Sequence, residues 1–155
     1  MDKLIMKPEQ IEMLNAIDNE ECFIDINAKR RSGKTTAQAY YCILQALDVQ
    51  HSIIDYLCSS DLHVDSLIKD VFPSIIDGLP CKLQPRWNKY NNRLVFNNGS
   101  VIRIFNSSKN ITDKLSSAMS DLCFIDEGQD HYNLPNIIDS INTDKLVVIS
   151  TKDEV

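Results

Sequence analysis

Apolar residues fall along this chain in short runs and helical stripes that alternate from end to end. Ile11, Leu14 and Ile17 recur at helical spacing after Lys7-Pro8-Glu9-Gln10 and predict a helix over 8–18. Phe23-Ile24-Asp25-Ile26-Asn27 reads as a strand over 22–27. A helix over 34–47 follows, with Tyr40, Ile43, Leu44 and Leu47 on one face. Ser52 to Cys58 predicts a strand, and Ser60 or Asp61 caps a helix over 61–71. Pro73, Gly78, Pro80 and Pro85 break up the segment to 90. The turn Asn97-Asn98-Gly99 joins strands 93–97 and 100–105. A polar stretch with a short helix over 109–118 leads to strand 121–126, helix 134–141 and strand 145–150. Leu122-Cys123-Phe124-Ile125 and Leu146-Val147-Val148-Ile149 are unbroken apolar runs, as in strands buried on both faces. Strands alternating with helices imply a three-layer α/β/α fold: a mainly parallel sheet with the β-hairpin inserted as an antiparallel edge or extension.

In such a sheet ligands gather at the carboxyl ends of the strands, and two polar sequences fall there. The first is Ala28-Lys29-Arg30-Arg31-Ser32-Gly33-Lys34-Thr35-Thr36, a basic turn between a strand and a helix. Backbone N–H groups and the positive end of the helix make an anion site there, as in a phosphate-binding P-loop, or Walker A motif. Gly33 lets the backbone approach phosphate, Lys34 reaches the β- and γ-phosphates, and the Thr35 hydroxyl ligates Mg²⁺. Arg31, Ser32 and Thr36 complete the nucleotide-binding set. The usual pattern opens with glycine, where this chain has Ala28. The second sequence is Asp126-Glu127 after an apolar strand, the Walker B arrangement. Asp126 is placed to hold Mg²⁺, and Glu127 to orient and activate water.

Two further residue sets fit this pattern. Gln10 carries an amide, with a donor and an acceptor to read the hydrogen-bonding edge of adenine, or it is a surface residue of the first helix. Ser150-Thr151 ends the last strand; these hydroxyls either sense the γ-phosphate or form a cap or turn.

Gln10, the loop 28–35, Asp126-Glu127 and Ser150-Thr151 together resemble the ATPase domain of phage terminase large subunits, the DNA-packaging motors. The hairpin Leu94 to Ile104 is similar to one that precedes the acidic strand in that family. The resemblance covers nearly the whole chain but only the front part of a terminase. It implies ATP and Mg²⁺ as cofactors and a cis arginine at Arg30 acting on the phosphates, with Arg31 the alternative. It also implies catalytic roles for Lys34 and Glu127, and a coupling role for Ser150-Thr151. Partners implied are nucleotide, double-stranded DNA within a larger assembly, and a homo-oligomer or other motor subunits. Nuclease activity is not implied. Asp126-Glu127-Gly128-Gln129-Asp130 is also similar to a motif of superfamily 1 helicases. A short relative with weak turnover, acting as a structural or regulatory partner, is the other alternative.

Length and composition narrow this picture. The chain's 155 residues make one domain, and a hydrophobic fraction of 43% supports a core without staples. The net charge of -6 argues against a dedicated DNA-binding surface. Lys82, Arg86, Lys89 and Arg93, interleaved with Trp87 and Tyr90, either contact a single strand or form a loop whose Trp87 covers the core; the second is favoured. None of the five cysteines forms a Cys-x-x-Cys pair, so they read as small hydrophobes in a reducing compartment. The three histidines receive no role. No run is long enough to span a membrane and the start lacks a signal pattern, so no membrane partner and a cytoplasmic location (host cytoplasm if viral) are expected.

Overall fold

In the computed structural model the alternating runs fold as a seven-stranded sheet. It describes residues 6–19, 22–29, 33–88, 92–107 and 119–152. The elements are α1 (Pro8–Asn19), β1 (Phe23–Lys29), α2 (Lys34–Asp48), β2 (Ile53–Cys58), α3 (Asp61–Ser66), α4 (Phe72–Ile76), β3 (Arg86–Asn88), β4 (Arg93–Val95), β5 (Val101–Asn106), β6 (Met119–Ser120), β7 (Leu122–Ile125), α5 (Leu134–Ser140), β8 (Asn142–Thr143) and β9 (Leu146–Lys152). The sheet order is β1-β9-β7-β2-β5-β4-β3. The first five strands are parallel, and β4 and β3 run antiparallel beyond them. The hairpin turn is where the pattern put it, but its second strand, β5, belongs to the parallel body. Short parallel strands β6 and β8 form a separate pair. Among the described residues β1 pairs with β9 alone, in register from Phe23 opposite Leu146 to Lys29 opposite Lys152.

One face of the sheet carries the larger core. Ile54, Tyr56, Phe124, Val147 and Ile149 from the strands pack with Ile17 of α1, Ile43 of α2 and Phe72 of α4. All are essentially removed from water, and each such side chain contributes roughly 1.5–3 kcal/mol. On the other face Ile137 of α5 covers Leu57, Cys123, Ile125 and Val148. Beside it, Asp55 of β2 and Arg103 of β5, register partners, form a two-pronged ion pair at 2.6 and 2.9 Å.

The buried face of α2 differs from the expected stripe. Leu44 is 44% exposed, and the helix meets its neighbours through Ala37, Gln38, Ala39, Cys42, Ile43 and Ala46. Small side chains let this helix lie close to the strands. The third helix also runs past its expected end. A π-helical turn, Leu67–Val71, links α3 to α4 and carries the helix on through Pro73, its wider hydrogen-bond spacing (Phe72 N–H to Leu67 O) accommodating a residue without an N–H. Strand β3, not expected, carries Trp87, whose ring meets Phe72 edge-on at 6.3 Å and joins the core. That is the covering role preferred from the sequence. Lys89 and Tyr90 lie outside the described residues, as does the predicted helix 109–118. All five cysteines are free; Cys42, Cys58 and Cys123 are buried, whereas Cys22 precedes β1 and is exposed. No helix among the described residues is long and apolar enough to cross a membrane.

Candidate functional site

Gly33, at the start of α2, has φ 78°, a left-handed conformation that a residue without Cβ adopts freely. A Cβ there would stand 2.4 Å from Gln10 Nε2. Gln10 is buried; Lys7 N donates to its Oε1 at 2.7 Å, and its Nε2 donates to Gly33 O at 2.9 Å. The side chain therefore ties α1 to the turn. Thr36 is half-buried in the first turn of α2, and Arg30, Arg31 and Ser32 lie outside the described residues.

Lys34 is also buried, and its Nζ pairs with Glu127 Oε1 at 2.6 Å and donates to Thr151 Oγ1. Glu127 Oε2 accepts from Gln129 Nε2 at 2.5 Å and from Thr151 Oγ1 at 2.8 Å. Thr151 N in turn donates to Gln129 Oε1 at 2.9 Å. The ion pair is thus flanked by the Gln129 amide and by the Thr151 hydroxyl of β9. Of the two hydroxyls that end the last strand, Thr151 enters this network. Ser150 instead backs Gly128, where a Cβ would stand 2.6 Å from its Oγ. Burial by itself would raise the Glu127 pKa, but hydrogen bonds from Lys34, Gln129 and Thr151 and the Lys34 charge outweigh it and hold the carboxyl below its usual range. Glu127 has φ 51°, uncommon for a residue with a side chain.

Asp126, directly after β7, is fully buried. Its Oδ2 accepts from Thr35 Oγ1 at 2.9 Å and Tyr56 OH at 2.7 Å, and lies 2.9 Å from His63 Nε2. Its Oδ1 accepts from Gln38 Nε2 at 2.9 Å and Glu127 N at 3.0 Å. Desolvation pushes its pKa up, but His63, Gln38 and Tyr56 push it down further, so the carboxylate stays ionised. His131 Nε2 lies 2.7 Å from the Asp126 carbonyl oxygen, and its Nδ1 contacts Ser107 Oγ.

The fold therefore brings Lys34, Thr35, Asp126, Glu127 and Thr151 to one place at the carboxyl edge. Sequence reasoning missed Gln38, Tyr56, His63, Gln129 and His131. Gln38 had a readable signal: it lies one helical turn after Lys34, on the buried face. Gln129 lay within the acidic motif. Tyr56 was one hydroxyl in an apolar strand, and nothing local marked either histidine. Among the described residues no cluster of three or more His, Cys, Asp or Glu side chains would hold a metal alone.

No family model matches the chain, and no curated protein matches it. Solved structures do. The large terminase of a thermophilic bacteriophage superposes with a TM-score of 0.71 at 13% identity, over 95% of this chain and 39% of that one. The chain shares its fold with phage large terminases. Another crystal form of that terminase, in complex with ADP, gives a TM-score of 0.67 at 12% identity over 95% of this chain and 38% of that one. A mutant large terminase ATPase domain from Thermus phage P74-26 gives 0.65 at 14% identity, over 94% of this chain and 65% of that one. The chain thus spans about two fifths of the length of the full terminase it matches. At these identities the likeness is one of architecture.

Proposed function

We propose that residues 1–155 form one nucleotide-binding domain that hydrolyses ATP with Mg²⁺, of the kind that drives terminase motors. The observation that carries this reading is the meeting of Lys34 and Thr35 from the start of α2 with Asp126, Glu127 and Thr151 from the ends of β7 and β9. Lys34 and the turn's backbone amides would hold the β- and γ-phosphates. Thr35 and Asp126 would hold Mg²⁺; a hydroxyl and an ionised carboxylate 2.9 Å apart are the hard oxygen donors this ion takes. The ion would neutralise charge building on the phosphates. Gln10 would read adenine by exchanging its Lys7 and Gly33 partners for the base.

Glu127 would take a proton from the attacking water as its oxygen bonds to the γ-phosphorus and the bond to the ADP oxygen breaks. Its ion pair with Lys34 sets the order of events. Once Lys34 turns to phosphate oxygens, Glu127 would lose one of the three partners that lower its pKa, the charged one, and become a stronger base. Arg30, or Arg31, would offset charge on the transferring group, for which a fixed planar cation suits. Double-stranded DNA, and further copies of the chain or other motor subunits, would be partners within a larger assembly in the cytoplasm, the host's if the protein is viral. The same Lys34–Glu127 pair favours a second reading, a nucleotide-binding partner with little turnover, because both groups satisfy each other.

Calorimetry with Mg-ATP on the wild type, Lys34→Ala and Glu127→Gln, with phosphate release measured alongside, tests this. Binding lost in Lys34→Ala is expected. Glu127→Gln should bind normally, with turnover reduced by about 10²–10⁴. No binding by the wild type would overturn the reading. Binding without measurable release would select the second one, and release stimulated by single-stranded DNA would point to a helicase fragment.

A further inference from the structure

Five groups converge on the Asp126 carboxylate, three of them on the single oxygen Oδ2. A carboxylate has about four lone-pair sites, two on each oxygen, so Oδ2 has more neighbours than it has hydrogen-bonding positions. Tyr56 is enclosed and fills one of those positions as a donor. Thr35 Oγ1 and His63 Nε2 differ from it, because each can present a lone pair instead of a hydrogen. Both stand 2.9 Å from Oδ2. Adjacent ligands of an octahedral ion with bonds of about 2.0–2.1 Å lie about 3 Å apart, so these are spacings of a coordination shell as much as of hydrogen bonds. The backbone that carries the ring is anchored at the cap of α3, where the His63 main-chain N–H donates to Ser60 Oγ at 3.2 Å. His63 is partly open, with its side chain 17% exposed, whereas Asp126 is sealed.

We propose that His63 supplies a nitrogen ligand at the cation position and so biases the site toward a first-row transition ion such as Mn²⁺ over Mg²⁺. This rests on the nucleotide reading above. Mg²⁺ favours oxygen and gains little from imidazole, whereas Mn²⁺ and the ions after it accept nitrogen more readily. His131 is not a candidate, since both its ring nitrogens are engaged, with the Asp126 carbonyl and Ser107.

The experiment titrates Mn²⁺ and, separately, Mg²⁺ with ADP into the wild type and His63→Gln, which keeps a donor for Asp126. Pulsed electron paramagnetic resonance of bound Mn²⁺ reads nitrogen coordination directly. Nitrogen coupling is expected in the wild type and not in His63→Gln. Mn²⁺ affinity should fall about tenfold and Mg²⁺ affinity less than about twofold. Three results overturn the proposal: Mn²⁺ bound by the wild type without nitrogen coupling, coupling that survives in His63→Gln, or equal losses for both ions. ADP binding without metal, compared with Lys34→Ala, separates the two levels. ADP bound by the wild type but not by Lys34→Ala, with no nitrogen coupling, leaves the nucleotide reading standing and removes His63. No binding of ADP or of Mn²⁺ removes both.

Discussion

Tyr56→Phe isolates one hydrogen bond in the buried carboxylate network. The Tyr56 ring stacks on Phe124 at 6.1 Å and meets Phe72 edge-on at 6.3 Å, so phenylalanine should keep its place. The hydroxyl alone is removed, and with it a 2.7 Å bond to an ionised oxygen that has no access to water. A hydrogen bond to a charged group contributes about 1.5–3 kcal/mol net. Asp126 retains its other partners, so no additional penalty for an orphaned charge applies. At about 2–4 °C per kcal/mol for a domain of this size, Tm should fall by about 3–12 °C at pH 7. The pH dependence has a fixed sign. Asp126 has a folded-state pKa below the ordinary value of 3.8, so its stabilisation is complete above that value and is lost as pH falls through the lower folded-state one. The gap between wild type and variant should stay constant from pH 7 to about 5 and shrink below about 4. Thermal unfolding followed by circular dichroism across that range measures it. A Tm within about 1 °C of wild type at pH 7, or a gap that widens on acidification, would refute the reasoning.

Arg103→Met should cost about 3–5 kcal/mol in urea unfolding, because it strands the buried Asp55 carboxylate. Replacing both residues with apolar ones should cost far less. Gly33→Ala forces a Cβ onto the Gln10 side chain at φ 78°, so Mg-ATP affinity by calorimetry should drop about tenfold or more.

The strand and helix order was legible because each buried run is long enough to carry its own period. The meeting of Lys34 and Thr35 with the acidic pair after β7 was legible because those residue types follow a strand and open a helix in the expected order. The helix through Pro73 was not, because a π turn absorbs the proline and leaves no compositional trace. Leu44 was misplaced because α2 packs through alanines, which weigh little in any hydrophobic pattern. Tyr56, Gln38 and His63 come from three separate elements and meet only after the sheet is assembled, so no local window contains the carboxylate's surroundings.

The left-handed backbone at Glu127 sets two kinds of selection against each other. A non-glycine residue held there costs on the order of 1–3 kcal/mol, and glycine or asparagine would sit at φ 51° more comfortably. Losing the carboxylate would relieve that strain but leave the buried Lys34 ammonium without its partner, so the backbone and the ion pair pull in opposite directions. A glutamate at this position is consistent with retention for what its side chain does, so sequences that drift toward glycine or asparagine here would mark lineages in which that task has lapsed.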